Sequence, residues 1–287
     1  MVARQVSPSA WYVQGLSAVG SSANQNFISN AGFVVTPAGV VVIDALGSPA
    51  LATRLLAEIA KVTALPVTHV IVTHYHADHI YGLQVFQALG ARVVAHRAAL
   101  AYLNSDAARQ RLAVSRQDLA PWVDEQTQVV QPDLWLDGPY ELLVGGTRIQ
   151  IKSLGPAHTP EDLAVYLPED KVLYTGDLVF RGRLPFVGQA ASGRWIAALD
   201  ELLAFGPNVL VPGHGAPSTT ARQDMQLTRD YLLYLRSVMA KAARNMEPFE
   251  QAYDAVDWSR FESVPMFRIV NRMNAYNTYL LLEPELE

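Results

Sequence analysis

Short apolar runs of strand length alternate with apolar positions at helical spacing along the first third of the chain. Residues 11–13 form a short strand, residues 26–35 alternate loosely, and GVVVID at 39–44 is a continuous apolar run. The turn sequence Thr36-Pro37-Ala38-Gly39 lies between the last two, so they pair as a hairpin. From 49 to 62, Leu51, Leu55, Leu56, Ile59 and Ala60 recur at helical spacing, with Ser48 as the cap and Pro49 at the first helical position. THVIVT at 68–73 predicts a buried strand, 80–89 a helix closed by Gly90, and 92–95 another short strand. That succession predicts a layered α/β architecture.

Residues 97–131 are rich in Ala, Arg and Gln and predict a helical insertion that covers the body. Strands are expected at 141–144, 147–154, 163–167 and 172–175, split by Gly145-Gly146 and Pro168-Glu169-Asp170. A helix over 193–205 and a strand at 209–211 follow, and the chain is mostly helical from Thr219 onward. The expected organisation is an α/β body over 1–220, with the insertion near 97–131, and a C-terminal helical extension over 221–287 packed on it.

Half of the 287 residues are apolar and 17% are charged, which suits a sizeable core and excludes a disordered tail or a coiled coil. The net charge of −5 argues against a phosphate-tracking nucleic-acid binder. Cysteine is absent, so disulfides, thiolate nucleophiles and Cys-ligated zinc are excluded. The opening MVARQVSPSA holds no apolar run, and no stretch approaches the roughly 18–20 apolar residues that span a bilayer. The expectation is a soluble protein with no membrane and no nucleic-acid partner, cytoplasmic, or periplasmic if a leader has been removed. The sequence carries no signal for oligomeric state.

The histidines carry the chemistry. Three of the seven fall in His74-Tyr75-His76-Ala77-Asp78-His79, directly after the strand at 68–73. A spacing of two in extended backbone sends His74 and His76 to the same side, and the turn that follows lets Asp78 and His79 approach from another direction. Imidazole and carboxylate suit zinc and similar first-row ions. Without a cation, four such groups at one strand end contribute little to packing. His158 in GPAHTP, Asp177 in YTGD and His214 in PGHG each lie just past a strand end. Their Gly and Pro neighbours make the tight turns that let side chains reach a shared centre. His69 and His96 read as structural or surface residues.

The ordered set H-x-H-x-D-H, then His158, Asp177 and His214, resembles the metallo-β-lactamase superfamily over about residues 26–215. The resemblance implies a four-layer αβ/βα sandwich with a two-metal centre at one edge. It implies His74, His76 and His158 around one metal, Asp78, His79 and His214 around the second, and Asp177 bridging both. Asp44, at the end of GVVVID, resembles the family's buried aspartate that orients a ligating imidazole. The plain alternative is a strand-terminating Asp. His76 stands where the diiron flavoprotein branch carries Glu, which favours two Zn2+ over iron. Asp177 as a bridge is similar to glyoxalase II, and the ending NRMNAYNTYL at 271–280 looks like that of hydrolases associated with sulfur oxidation and quinoproteins.

The function this implies is a dinuclear zinc hydrolase acting on a small-molecule substrate. A metal-bridging hydroxide would attack an ester, thioester, lactone or lactam carbonyl, with β-lactam hydrolysis as a main or side activity. Asp78 would orient that hydroxide or accept its proton. The alternative on the same fold is an oxidoreductase similar to persulfide dioxygenases, with one iron on His74, His158 and Asp177. Substrate selection would come from loops around the metals, at 20–26 with Asn24 and at 180–188 with Phe180 and Phe186, and from the region of Met266, Phe267 and Tyr276. Phe180, Phe186 and Trp195 either wall an apolar groove or pack in the core. Lys241, Arg244, Arg268 and Arg272 are available as a glutathione clamp or are solvated helix charges.

Overall fold

The run GVVVI is apolar throughout because both faces of its strand are covered. Val40 and Val42 face a helical layer, while Val41 and Ile43 face a second sheet. The computed structural model describes residues 1–282. The chain opens with β1 (Arg4–Gln5), β2 (Ala10–Val13), β3 (Ala31–Thr36) and β4 (Gly39–Ile43). It continues through α1 (Pro49–Val62), β5 (Val67–Ile71), α2 (Ala77–Ile80), α3 (Leu83–Ala88) and β6 (Arg92–His96). It then passes α4 (Ala99–Leu103) and α5 (Asp106–Asp118) to reach β7 (Leu134–Leu136). These seven strands form one sheet in sequence order, antiparallel up to β4 and parallel from β4 to β7.

The second sheet contains β8 (Tyr140–Val144), β9 (Thr147–Ser153), β10 (Leu163–Leu167), β11 (Val172–Tyr174) and β12 (Val209–Val211), in the order β12-β11-β10-β9-β8. Its one parallel pair, β11 with β12, is joined through α6 (Ser192–Leu203). Helices α7 (Ala221–Arg244), α8 (Phe249–Asp254) and α9 (Phe267–Leu282) follow.

Three apolar clusters hold four layers together. Leu51, Leu55 and Ile59 of α1 cover Val40, Val42, Val70 and Val93 on the first sheet. Val41, Ile43, Ile71 and Val94 meet Ile149, Ile151, Val165 and Val172 between the sheets. Trp195, Tyr231, Leu235 and Val270 of the later helices cover Ala164, Leu173 and Leu210 on the second sheet. Each fully buried large side chain contributes about 1.5–3 kcal/mol. The result is the expected four-layer αβ/βα sandwich.

Several boundaries differ from the sequence expectation, for local reasons. The helix α1 spans the residues predicted, and the Ser48 side chain accepts from Leu51 N–H at 3.3 Å. The helix expected at 80–89 is instead two short helices separated at Gly82, whose N–H donates to Leu46 O. A Cβ on Gly82 would lie 2.0 Å from Ala45 O, so the chain leaving β4 crosses too closely for any side chain there. The strand expected from 26 begins at Ala31, because Gln25 and Asn26 take φ of 59° and 58° and curl the chain before it. Of the helical insertion at 97–131, only α4 and α5 form. The three-residue β7 behind them is too short to show periodicity. Residues 283–287 of the expected extension lie outside the described residues. Among the described residues no helix is long and apolar enough to cross a membrane.

Candidate metal centre

Parallel pairing of β4 with β5 and of β11 with β12 brings strand C-termini to one edge, where open α/β sheets place their sites. Asp44 follows β4, His74 to His79 follow β5, Asp177 lies in the 3₁₀ turn Gly176–Leu178 after β11, and His214 follows β12. The loop from β9 to β10 reaches the same edge and carries His158, because β10 runs antiparallel to β11.

His76 Nδ1 lies 3.1 Å from His74 Nε2 and 3.1 Å from His158 Nε2. Asp177 Oδ2 lies 3.7 Å from His74 Nε2, 3.5 Å from His158 Nε2 and 3.2 Å from His214 Nε2. Its Oδ1 lies 3.2 Å from His79 Nε2. Asp78 Oδ2 is 3.6 Å from His79 Nε2 and 3.4 Å from His214 Nε2. The seven expected residues thus converge as two groups, one of His74, His76, His158 and Asp177, the other of Asp78, His79 and His214, each with its ligand-type atoms within 4.8 Å of one another.

The backs of the rings are held in place. His79 Nδ1 lies 2.8 Å from Asp44 Oδ2, and His214 Nδ1 lies 2.7 Å from Ile28 O. His74 Nδ1 lies 3.0 Å from Thr73 Oγ1, whose hydroxyl is 2.7 Å from Asp44 Oδ2. The other Asp44 oxygen accepts from Thr73 N–H at 2.8 Å. With Nδ1–H donating, the His74 and His214 rings present an Nε2 lone pair to the centre, and the His79 ring does so once its Nε2 proton is displaced. Gly213 keeps the approach to Asp177 open, since a Cβ there would lie 2.1 Å from Asp177 Oδ1.

The charge balance calls for a cation. Burial pushes His74, His76 and His158 below the ordinary imidazole value, so their nitrogens are neutral and face one another. Burial also opposes charge on His79, but Asp177, Asp78 and Asp44 outweigh it and hold that ring well above its ordinary value. Burial raises Asp177, yet His214, His79 and His74 pull it well below the usual carboxylate range. His79 Nε2 and Asp177 Oδ1 are buried 3.2 Å apart, and among the described residues neither has a well-aligned hydrogen-bond partner. Converging neutral imidazole nitrogens and two carboxylates fit a pair of metal ions, and the all-nitrogen-and-oxygen donor set suits first-row divalent ions.

Other expected residues have different surroundings. Phe180 stacks on His214 at 5.0 Å, and Trp195 meets His158 at 5.0 Å while its Nε1–H donates to Leu178 O. Both are fully buried behind the histidines, so they take the packing role. Phe186 is half-buried, with its ring 6.3 Å from that of His76. Asn24 organises its own loop, accepting from Ser21 N–H and donating to Val19 O. Phe267 packs against Trp258 and Tyr276 against Phe249, within an aromatic cluster of the C-terminal helices. Arg272 pairs with Glu250 and lies over the rings of Phe249 and Tyr253, while Lys241, Arg244 and Arg268 are exposed helix charges. His69 and His96 lie away from the centre and are half-buried.

The sequence reading passed over three supporting residues. Asn30 Nδ2 donates to Pro212 O and Gly215 O, strapping the His214 turn. Glu161 accepts from Tyr75 N–H between the two first histidines. Asp162 accepts from Thr159 N–H at 2.7 Å and from its hydroxyl at 2.8 Å, which shapes the His158 loop. The acidic pair beside GPAHTP was the available signal.

Comparison with known proteins agrees with this geometry. The model of the metallo-beta-lactamase superfamily matches residues 25–214. A linear primary-alkylsulfatase of Pseudomonas sp. is 24% identical over 238 residues, covering 70% of this chain and 45% of the relative. A type 2 metallo-beta-lactamase of Elizabethkingia meningoseptica is 26% identical over 212 residues, covering 71% of this chain and 77% of the relative. The chain therefore spans under half of the alkylsulfatase's length. Among solved structures, a stereoselective inverting sec-alkylsulfatase from Pseudomonas sp. shares the fold with a TM-score of 0.76 at 18% identity, over 97% of this chain and 49% of that one. A metallo-beta-lactamase from Pontibacter korlensis aligns with a TM-score of 0.62 at 24% identity, over 80% of this chain and 98% of that one.

Proposed function

The chain belongs to the metallo-beta-lactamase superfamily, and from that premise we propose that it is a dinuclear zinc hydrolase of small-molecule esters, thioesters, lactones or lactams. The observation that carries this reading is the convergence of His74, His76, His158 and Asp177 in one donor group beside Asp78, His79 and His214 in a second. His74, His76 and His158 would hold one ion, and Asp78, His79 and His214 the other, with the Asp177 carboxylate between them. Such ions supply Lewis acidity toward the scissile group and make water acidic enough to attack near neutral pH.

The chain's own residues do the rest. Burial keeps the first three imidazoles neutral and able to donate lone pairs. The Asp78 side chain, 16% exposed against 5% for Asp177, is the carboxylate that solvent and substrate reach. It would accept the proton of the attacking water. Phe180 and Trp195 exclude water behind the rings, and Phe186 flanks the entrance.

A glyoxalase II-like thioester is the finer reading supported by Asp177, whose two oxygens reach both groups. The alkylsulfatase relative adds sulfate esters to the candidates. The second donor group argues for two ions over a single iron on His74, His158 and Asp177, which would leave Asp78, His79 and His214 without a role. Metal analysis of the purified protein is expected to find close to two zinc ions per chain. A panel of thioester, lactone, β-lactam and sulfate-ester substrates is expected to show turnover that chelation removes. One tightly held iron, or chelator-resistant turnover, would overturn the reading.

A further inference from the structure

Two arginines, two residues apart, sit in opposite situations in the loop after Asp177. Arg181 is engaged: its Nε–H donates to Asp224 Oδ1 at 2.8 Å, and its Nη1 donates to Ala216 O and Pro217 O. Arg183 is only 4% exposed, yet its Nε and Nη1 have no hydrogen-bond partner among the described residues. A guanidinium cannot shed its proton in a protein, and a buried charge without a partner is among the costliest arrangements a fold can hold.

The surroundings indicate what is missing. The Arg183 guanidinium carbon lies 5.8 Å from the centre of the Phe180 ring, and that ring stacks on His214 and meets His158 edge-on. Burial pushes the Arg183 pKa down, while Asp177 and Asp78 are the charges that support it. Those same carboxylates would be engaged by metal ions, and two divalent ions would leave the centre with surplus positive charge. The loop is held rigid: Leu184 N–H donates to Pro265 O, Val187 N–H donates to Asn274 Oδ1, and Asn274 Nδ2 donates to Pro185 O. Asn274 of α9, with Pro265 just before that helix, thus fixes the segment that follows Arg183, while Arg181 N–H donating to His214 O fixes the one before it. A rigidly held guanidinium with two buried, unbonded nitrogens next to a cationic centre suits an oxyanion, which guanidinium groups bind by charge-assisted hydrogen bonds.

We propose that Arg183 binds an oxyanion group of the substrate, a carboxylate or a sulfate, so that this hydrolase selects anionic small molecules; this rests on the reading of the site given above. Two measurements test it. In the zinc-loaded protein, sodium sulfate or sodium acetate, against sodium chloride at equal ionic strength, is expected to raise the thermal midpoint. Arg183→Gln should abolish that rise. The anion giving the larger shift identifies the group. No shift with either anion in the unsubstituted protein overturns the proposal, even if Arg183→Gln does not fold. In the metal-loaded enzyme, the KM for a carboxylate- or sulfate-bearing substrate is expected to rise about 10- to 100-fold in Arg183→Gln, the loss of a charged hydrogen bond. The KM for its neutral methyl-ester counterpart and both kcat values should stay near those of the parent. An equal loss on both substrates, or none, overturns it. Absence of turnover would remove the hydrolase reading instead, and the anion titration of the zinc-loaded protein would still report on Arg183.

Discussion

The two donor groups use similar residues but are supported differently. In the second group, each imidazole has an oxygen acceptor behind it: Asp44 behind His79 at 2.8 Å and Ile28 O behind His214 at 2.7 Å. In the first group, His158 Nδ1 has no hydrogen-bond partner among the described residues, and the ring is wedged between Trp195 and Phe180 at 5.0 and 5.8 Å. His74 reaches Asp44 only through the Thr73 hydroxyl. One half of the centre is aligned mainly by hydrogen bonds, the other mainly by packing. Fixed acceptors set tautomer and ring orientation before any ion arrives, so the second group is the better organised of the two in the free protein.

The largest effect tests what the groups share. Asp177→Asn keeps the shape and removes the charge that lies between them. Removing one member of a buried, charge-paired network costs about 3–5 kcal/mol, on the order of 10³-fold in affinity or rate. Both ions are expected to be lost on metal analysis, with turnover falling accordingly. Retention of both ions with turnover within about tenfold of the parent would mean that the groups are independent.

The supported half and the packed half were unequally legible in the sequence. All seven donors could be read because each sits beside Gly, Pro or another donor just past an apolar strand, and strand C-termini share an edge when strands are parallel. Asp44 was visible for the same reason, as the polar end of GVVVID. The packing behind His158 was not visible: Trp195 and Phe180 lie far apart in the sequence, and an aromatic residue in a helix or loop gives no sign of which ring it will meet. Arg183 fell inside a loop singled out for its aromatics, but an arginine's lack of partners is a three-dimensional fact. Elements of two or three residues, such as β1 and β7, carry no period to detect, and they were missed for that reason.

A smaller effect separates the halves. Asp44→Asn leaves a neutral amide behind His79, and loss of such a supporting group typically weakens a metal site about 10–100-fold. The weaker-bound ion should be the one on Asp78, His79 and His214. Competitive chelator titration that resolves two affinities reads this directly, and the thermal midpoint of the metal-free protein controls for a loss of fold. Selective weakening of the other ion would reverse the assignment of support made here.

The smallest expected change is the sharpest test, because Thr73 touches both halves through different atoms. Its backbone N–H holds Asp44 Oδ1, and its hydroxyl links Asp44 Oδ2 to His74 Nδ1. Thr73→Val keeps the backbone bond and the volume while deleting the link. The neutral hydrogen bond that this deletes at His74 contributes about 0.5–1.5 kcal/mol, so the affinity of the first ion should fall roughly two- to tenfold. The second ion should be spared, since His79 keeps its own bond to Asp44. Thr73→Ser restores the hydroxyl and should restore the affinity, which a purely steric effect of the lost Thr would not do. If Thr73→Val weakens both ions equally, Asp44 aligns the two halves as one unit, and the division between a hydrogen-bonded half and a packed half does not hold.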